Sequence, residues 1–521
     1  QPALSVARLL AAEPAGVRVT MASTPLIDAD ELLGVPKPAA GSRHTCYLFD
    51  GAYWTAVFTI VNAALGAGIL AYPSAFMSSG LLVGSLLTLF MGFLSSLALF
   101  AIMRSMAHAH DVSTEPVGSF GDLVRFGLGP RIANFVEWLV IVYGYGACVG
   151  YLILLGDILT PILDAGTDGG GSGEQDESTH TFVLCGASVV CFGLCCLRRI
   201  SALKYSAAVA VLAVLFTVAM LIMQAFEHPC RPGPHNCDDE LGKPGWPDGE
   251  DGVKLWPLGF EGMLRSLPLI TFALQCHIQC TMVFCEMPPR LKSPSARNSV
   301  AVGAVVLVMV LYIPTGLAGY SRFGRATQGD VLKNFNVQDG LGDVARACVA
   351  ITALASFPMQ HFPARAALHG AFLRRCGPSA AAGVHVLAEH DELSNPLADT
   401  PRQQAAATIP CNFLLVEGGV WCAAALGVAI AAGSSLDIVF QLIGALCGSS
   451  VILIIPGILW YRLGPGSPSS ARRLAPAWLL VGFGLFVMVG GVAALVVQIV
   501  EPDNSSPPPP PSPLPPPPHG L

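Results

Sequence analysis

Val61-Asn62-Ala63-Ala64-Leu65-Gly66-Ala67-Gly68-Ile69-Leu70-Ala71-Tyr72-Pro73 occupies the middle of the first long apolar run in this 521-residue chain. The run reaches about 20 residues, the length a helix needs to cross a bilayer core. At its midpoint stands Gly66-Ala67-Gly68, with Asn62 one turn before and Pro73 one turn after. Backbone released from helical bonding at membrane depth is tolerated only where it is buried in protein or lines a cavity. An unwound segment here would present free N–H groups to an anion and free carbonyls to a cation. Small residues also allow close packing of an intact helix, so the stretch by itself leaves both readings open.

Around this run the composition is that of a membrane protein: 53% hydrophobic and 12% charged residues, against about 25% charged in soluble domains. Eleven spans are predicted, at 52–75, 80–103, 132–156, 181–197, 203–226, 258–286, 299–320, 343–364, 412–433, 437–461 and 476–500. So many apolar runs exclude a soluble enzyme, a disordered scaffold and a single-anchor protein. A net charge of −7 argues against nucleic acid, whose phosphates need a basic surface. No Walker loop, zinc spacing or nucleophile elbow is present, and no enzyme is expected. Residues 1–50 are predicted as a flexible cytosolic tail, 51–500 as the membrane domain and 501–521 as a proline-rich, non-cytosolic tail. Residues 1–20 lack a continuous apolar core and are not read as a signal peptide. Residues 117–130 suit a short interfacial helix.

Orientation follows from the loop cations. With the N-terminus in the cytosol, 20 of the 28 Lys and Arg residues fall in cytosolic segments: four in the N-terminal tail, three after each of spans 2, 4, 6 and 10, and four after span 8. Six fall opposite, and Arg265 and Arg346 lie at span ends. The acidic stretches Asp157–Glu177 and Glu227–Asp251 then lie outside. Cys230 and Cys237 share that non-cytosolic side, where disulfides persist. They either form a bridge or remain free thiols. Most other cysteines sit in apolar runs and read as small packing residues.

Span 6 carries a second interruption: Pro268, then Thr271-Phe272-Ala273-Leu274-Gln275-Cys276-His277-Ile278-Gln279, then Pro288-Pro289. Polar side chains in mid-span are costly unless they face a cavity or one another. Interruptions in spans 1 and 6, five apart, have the spacing of two inverted five-helix repeats with a site at their interface. Span 8 adds Thr352, Ser356, Pro358, Gln360 and His361. The two hydroxyls are hard oxygen ligands for a small cation, or else bond back to their own helix.

Asn62 through Leu70 followed by Pro73, Ile200-Ser201-Ala202-Leu203-Lys204-Tyr205-Ser206, Phe272 with Gln275-Cys276-His277, and Ser356-Phe357-Pro358 with His361-Phe362 and Arg365 together resemble the amino acid/auxin permease family. Within it they are similar to the sodium-coupled neutral amino acid transporter branch, in particular its glutamine- and asparagine-associated members. The resemblance covers about residues 50–500. It implies an all-α membrane protein of eleven transmembrane helices, with a five-plus-five inverted-repeat (LeuT-like) core and broken helices 1 and 6. It implies a substrate carboxylate at Gly66, Ala67 and Gly68, and further substrate contacts from Asn62, Phe272, Gln275 and His277. Na+ would sit at Asn62, Leu65, Thr352 and Ser356.

The expected function is secondary active transport of a neutral amino acid by alternating access, coupled to Na+ or H+. The alternative is an amino-acid-sensing membrane receptor with little flux. Beyond the coupling ion no cofactor is expected, and the partners are a small neutral amino acid and membrane lipid, with the protein a monomer. Asp28-Ala29-Asp30-Glu31-Leu32-Leu33 matches an acidic dileucine sorting signal. It favours the vacuolar or lysosomal membrane over the plasma membrane.

Overall fold

A computed structural model describes residues 50–113, 117–166, 177–196, 204–227, 253–257, 259–335, 340–376, 411–433, 435–465 and 470–500. Cys230, Cys237, the dileucine stretch and both predicted tails lie outside these residues. The described residues are mostly helical, with no strand among them, and belong to one compact unit, Leu48–Leu521.

In chain order the helices are α1 (Gly51–Ala64), α2 (Tyr72–Ser79), α3 (Leu81–Val112), α4 (Phe120–Leu128), α5 (Pro130–Gly166), α6 (Glu177–Cys195), α7 (Lys204–Glu227) and α8 (Phe260–Ala273). There follow α9 (His277–Glu286), α10 (Pro294–Phe323), α11 (Gly340–Cys376), α12 (Cys411–Ala432), α13 (Leu436–Ile443), α14 (Ile455–Leu463) and α15 (Ala471–Val500). Among the described residues, ten helical segments are long and apolar enough to cross a membrane. Eleven were expected. The difference lies in the first segment, where α1 has 14 residues and α2 eight, with only the 3₁₀ turn Ala67–Ile69 between them. Neither piece alone spans a bilayer core at 1.5 Å per residue.

The break has local causes. Leu65 leaves the helix with extended backbone (φ −70°, ψ 98°), and Pro73 sits in the first turn of α2, where its missing N–H costs nothing. The orphan carbonyl of Ala64 accepts a 2.6 Å hydrogen bond from the Tyr312 hydroxyl of α10. The sixth expected span is interrupted at residues 274–276, between α8 and α9.

Lipid tails are as apolar as the side chains, so helices in a membrane associate through close packing more than through water release. Glycines do this work. A Cβ on Gly144 of α5 would lie 2.8 Å from the Gln360 carbonyl oxygen of α11. Large side chains such as Phe93, Phe135, Val142 and Phe182 stay exposed on the outer faces, as lipid contact allows. Between α13 and α14 the chain widens into π-helix over Gly444–Gly448 and Ser450–Ile454. Gly444 there abuts the Pro268 carbonyl of α8, leaving no room for a Cβ.

The interfacial helix expected near 117–130 is α4. Ser119 accepts from the Asp122 N–H at 3.0 Å, and the Asp122 carboxylate accepts from the Ser119 N–H at 2.9 Å, a complete capping box. One expectation fails outright. Asp157, read as the start of an outer acidic loop, lies within α5 and is buried.

Candidate functional site

The two interruptions meet. Gly68 packs on the end of α8 so closely that a Cβ would lie 3.0 Å from the Ala273 Cα and 3.5 Å from Cδ1 of Phe272. Gly66 is covered by Tyr151 of α5, whose hydroxyl occupies the position a Cβ would take. The glycines of the first break therefore let its backbone approach the end of α8 and the Tyr151 hydroxyl directly, with no side chain of their own in between.

Two cavities flank this junction. The larger, partly open to the surface, is lined by Asn62, Leu65, Tyr151, Gln279, Ser356 and Gln360 among others. The smaller lies against Gly66, Ile69, Leu70, Leu154, Thr352 and Ala353. Among the described residues, neither lining contains a carboxylate or a cationic side chain. Such a surface suits a ligand that carries both charges itself, or a monovalent cation held by neutral oxygens.

The sequence-predicted residues fall into three groups. Asn62, Leu65 and Ser356 share the larger cavity. Gly66 and Thr352 share the smaller, and the Thr352 hydroxyl donates to the Cys348 carbonyl at 2.9 Å. Gly68 and Phe272 touch at the junction, with Ala67 in the turn between Gly66 and Gly68. Phe272 also stacks on Phe440 of α13, with ring centroids 4.2 Å apart and planes 18° apart. Gln275 and His277 line neither cavity. The Gln275 amide is buried, and neither of its polar atoms has a hydrogen-bond partner among the described residues. Leaving such a group unpaired costs about 1–3 kcal/mol, which marks Gln275 as a group whose partner is not one of its present neighbours. Nε2 of His277 lies 3.3 Å from the Ser95 carbonyl oxygen of α3.

Sequence reasoning missed Tyr151 and Tyr312, whose apolar neighbours give no local signal. Gln279 and Gln360 stood out as polar residues in apolar spans, but nothing in the chain sets them beside Asn62.

The first segment is fastened at its start and again at the far end of its break. At the start of α1, Asp50 accepts from the Ala52 N–H at 2.9 Å and from Arg290 at 2.8 and 3.1 Å. These bonds hold the Asp50 carboxyl below the usual carboxylate range, the Arg290 hydrogen bond contributing most. At the other end, the Leu70 carbonyl accepts from the Val331 N–H at 3.3 Å.

With this geometry in view, the comparison with known proteins is specific. The family described as "Transmembrane amino acid transporter protein" matches residues 50–497, nearly the whole helical unit. The chain belongs to this family. It is 27% identical over 379 residues to sodium-coupled neutral amino acid transporter 7 of Rattus norvegicus, covering 70% of this chain and 73% of the relative. It is 24% identical over 453 residues to vacuolar amino acid transporter 2 of Saccharomyces cerevisiae, covering 86% and 83%. Amino acid transporter AVT6E of Arabidopsis thaliana is 25% identical over 472 residues, covering 85% and 83%. As a member of the transmembrane amino acid transporter family, the chain is a multi-pass membrane protein whose relatives are transporters rather than enzymes. The residues at the helix breaks are accordingly read below as ligand-binding groups.

Proposed function

We propose that the protein is a secondary active transporter of neutral amino acids, of glutamine or asparagine type, coupled to Na+ or H+ and working by alternating access. The observation that carries this reading is the abutment of the two helix breaks, Gly68 against Ala273 and Phe272, beside a cavity lined by uncharged polar groups. The substrate carboxylate would meet backbone N–H groups at Gly66, Ala67 and Gly68, near the positive end of α2. Its side chain would lie against Phe272, with the Gln275 amide as a further partner. Na+ would sit at Asn62, Leu65 and Ser356, at the negative end of α1, with Thr352 one turn further along α11. The first segment then counts as the eleventh crossing, in a five-plus-five inverted repeat. We place the protein in the vacuolar or lysosomal membrane, in keeping with the vacuolar relative and with Leu32 and Leu33.

Uptake of labelled glutamine into proteoliposomes, with and without a Na+ or H+ gradient, tests the function. Accumulation driven by one gradient is expected. Saturable glutamine binding with no flux under any gradient would instead identify an amino-acid-sensing receptor. Replacing Leu32 and Leu33 by Ala should move a tagged protein to the cell surface, and an unchanged location would refute the sorting signal.

A further inference from the structure

The segment that follows α10 carries a group the transport site does not use. Residues 324–335 form two short 3₁₀ turns, Gly324–Ala326 and Val331–Asn334, over the outer end of the first helix break. Three contacts hold them there. The Val331 N–H donates to the Leu70 carbonyl at 3.3 Å. Nζ of Lys333 lies 3.0 Å from Oδ1 of Asp157 on α5. Arg346 of α11 donates to the carbonyls of Leu332 and Phe335.

Asp330 sits inside this closure, 1% exposed. Its Oδ1 accepts from the Leu332 N–H at 2.9 Å, while Oδ2 is buried with no hydrogen-bond partner among the described residues. The groups around it are drawn from every neighbouring element. Asp157 on α5 binds Lys333, and Nε2 of His180 on α6 lies 3.8 Å from the same Asp157 oxygen. On α11, Arg346 pairs with Asp343 at 2.7 Å. Asp437 of α13 packs against Gly329, where a Cβ would lie 3.2 Å from its Oδ1. Four carboxylates thus share this region with Lys333 and Arg346. Lys333 and Arg346 offset only part of this negative charge, and a buried carboxylate oxygen without a donor, next to further carboxylates, is a place where a proton removes charge that burial penalises.

We propose that Asp330 is a proton-binding site, and that a proton there holds residues 324–335 closed over the outer end of the broken first helix. Burial, and after it the neighbouring Asp157, raise the Asp330 carboxyl from its usual value to about 7. The sign follows from linkage. The closed form binds the proton more tightly than an opened, hydrated form whose carboxyl titrates near its usual value of about 4. Closure is therefore favoured fully below about pH 4 and loses that support as pH rises through about 7. On the orientation proposed above, the segment faces the non-cytosolic compartment. An acidic lumen would keep it shut and a neutral one would loosen it, so the regulation acts on the proposed transport site.

The test reads the segment itself, not flux. Amide hydrogen exchange is followed by mass spectrometry on the full-length protein in lipid nanodiscs, for wild type and Asp330→Asn. Asn keeps the Oδ1 acceptor for Leu332 and cannot ionise. At about pH 8, residues 327–335 should exchange at least about tenfold faster in wild type than in D330N, and at about pH 4 the two should agree within about threefold. Comparing the two proteins at one pH cancels the intrinsic pH dependence of exchange. Equal protection at pH 8 in two folded proteins would overturn the proposal. If D330N does not fold, wild type alone decides: protection factors in this segment that stay constant from about pH 5 to about pH 8 also overturn it. A chain that transports nothing can still show this switch. A transporter whose segment ignores pH keeps the function proposed above and loses only the proton site.

Discussion

Gly68→Ala adds one methyl group at the junction of the two breaks. The new carbon would lie 3.0 Å from the Ala273 Cα, 3.1 Å from its Cβ and 3.5 Å from the Phe272 ring. The first of these neighbours is backbone and cannot swing aside, so α8 or the 65–71 link has to move by a few tenths of an ångström. Overpacking of this kind costs about 1–3 kcal/mol. If the junction is tightest when substrate is enclosed, that cost falls on the bound, closed conformation. At about 1.4 kcal/mol per tenfold, the apparent glutamine affinity should weaken by about fivefold to 150-fold. Proteoliposome uptake over a range of glutamine concentrations gives KM and Vmax, and a thermal-shift assay on the same preparation separates lost affinity from lost stability. Gly186→Ala serves as the control: that position has nothing within 4 Å of an added Cβ and should leave both readings unchanged. Wild-type KM and Vmax in a G68A protein of wild-type stability would refute the reasoning, because the backbone face of Gly68 would then not border the substrate.

The two span 8 hydroxyls should separate cleanly. Ser356 shares the cavity of Asn62 and Leu65, while the Thr352 hydroxyl is committed to Cys348. Ser356→Ala should raise the Na+ concentration for half-maximal uptake at least about tenfold, the loss of one ion–oxygen contact worth about 1.5 kcal/mol or more. Thr352→Ala should change it by less than about threefold; the reverse order would exchange their roles. Arg290→Ala removes the cation beside Asp50. The pair is exposed and screened by solvent, so amide exchange over residues 51–57 should rise by no more than about fivefold. Raising the salt concentration should reproduce part of that rise in wild type, and unchanged exchange would show that the pair does not restrain α1.

Much of this fold is legible because a bilayer imposes a length. Each apolar run has to reach about 20 residues, and span ends read from the runs alone fall close to the observed helices. The expected span 437–461 is the segment Leu436–Leu463. The break in the first segment is legible because Gly66, Gly68 and Pro73 violate helical preference within eight residues. The π-helical stretch at Gly444–Ser450 carries no such mark. Gly444 there lies against the Pro268 carbonyl, a neighbour 176 positions away in the chain. The pairing of Asp157 with Lys333 is hidden for the same reason. Asp157 looked like loop because α5 continues ten residues beyond the apolar run, to Gly166. In the site, spacing places Thr352 and Ser356 on one face of α11, one turn apart. It does not reveal that this turn separates two cavities, or that Tyr151 closes over Gly66.

The two fastenings of the first segment bear on direction. One end rests on an exposed ion pair, Asp50 with Arg290, which solvent and salt screen. The other includes a single backbone hydrogen bond, from Val331 to Leu70, of about 1 kcal/mol. On the proposed transport function, these latches set only how the resting protein divides its time between states; the sense of net movement belongs to the compartments, and reversing the solute and ion gradients runs the cycle backwards.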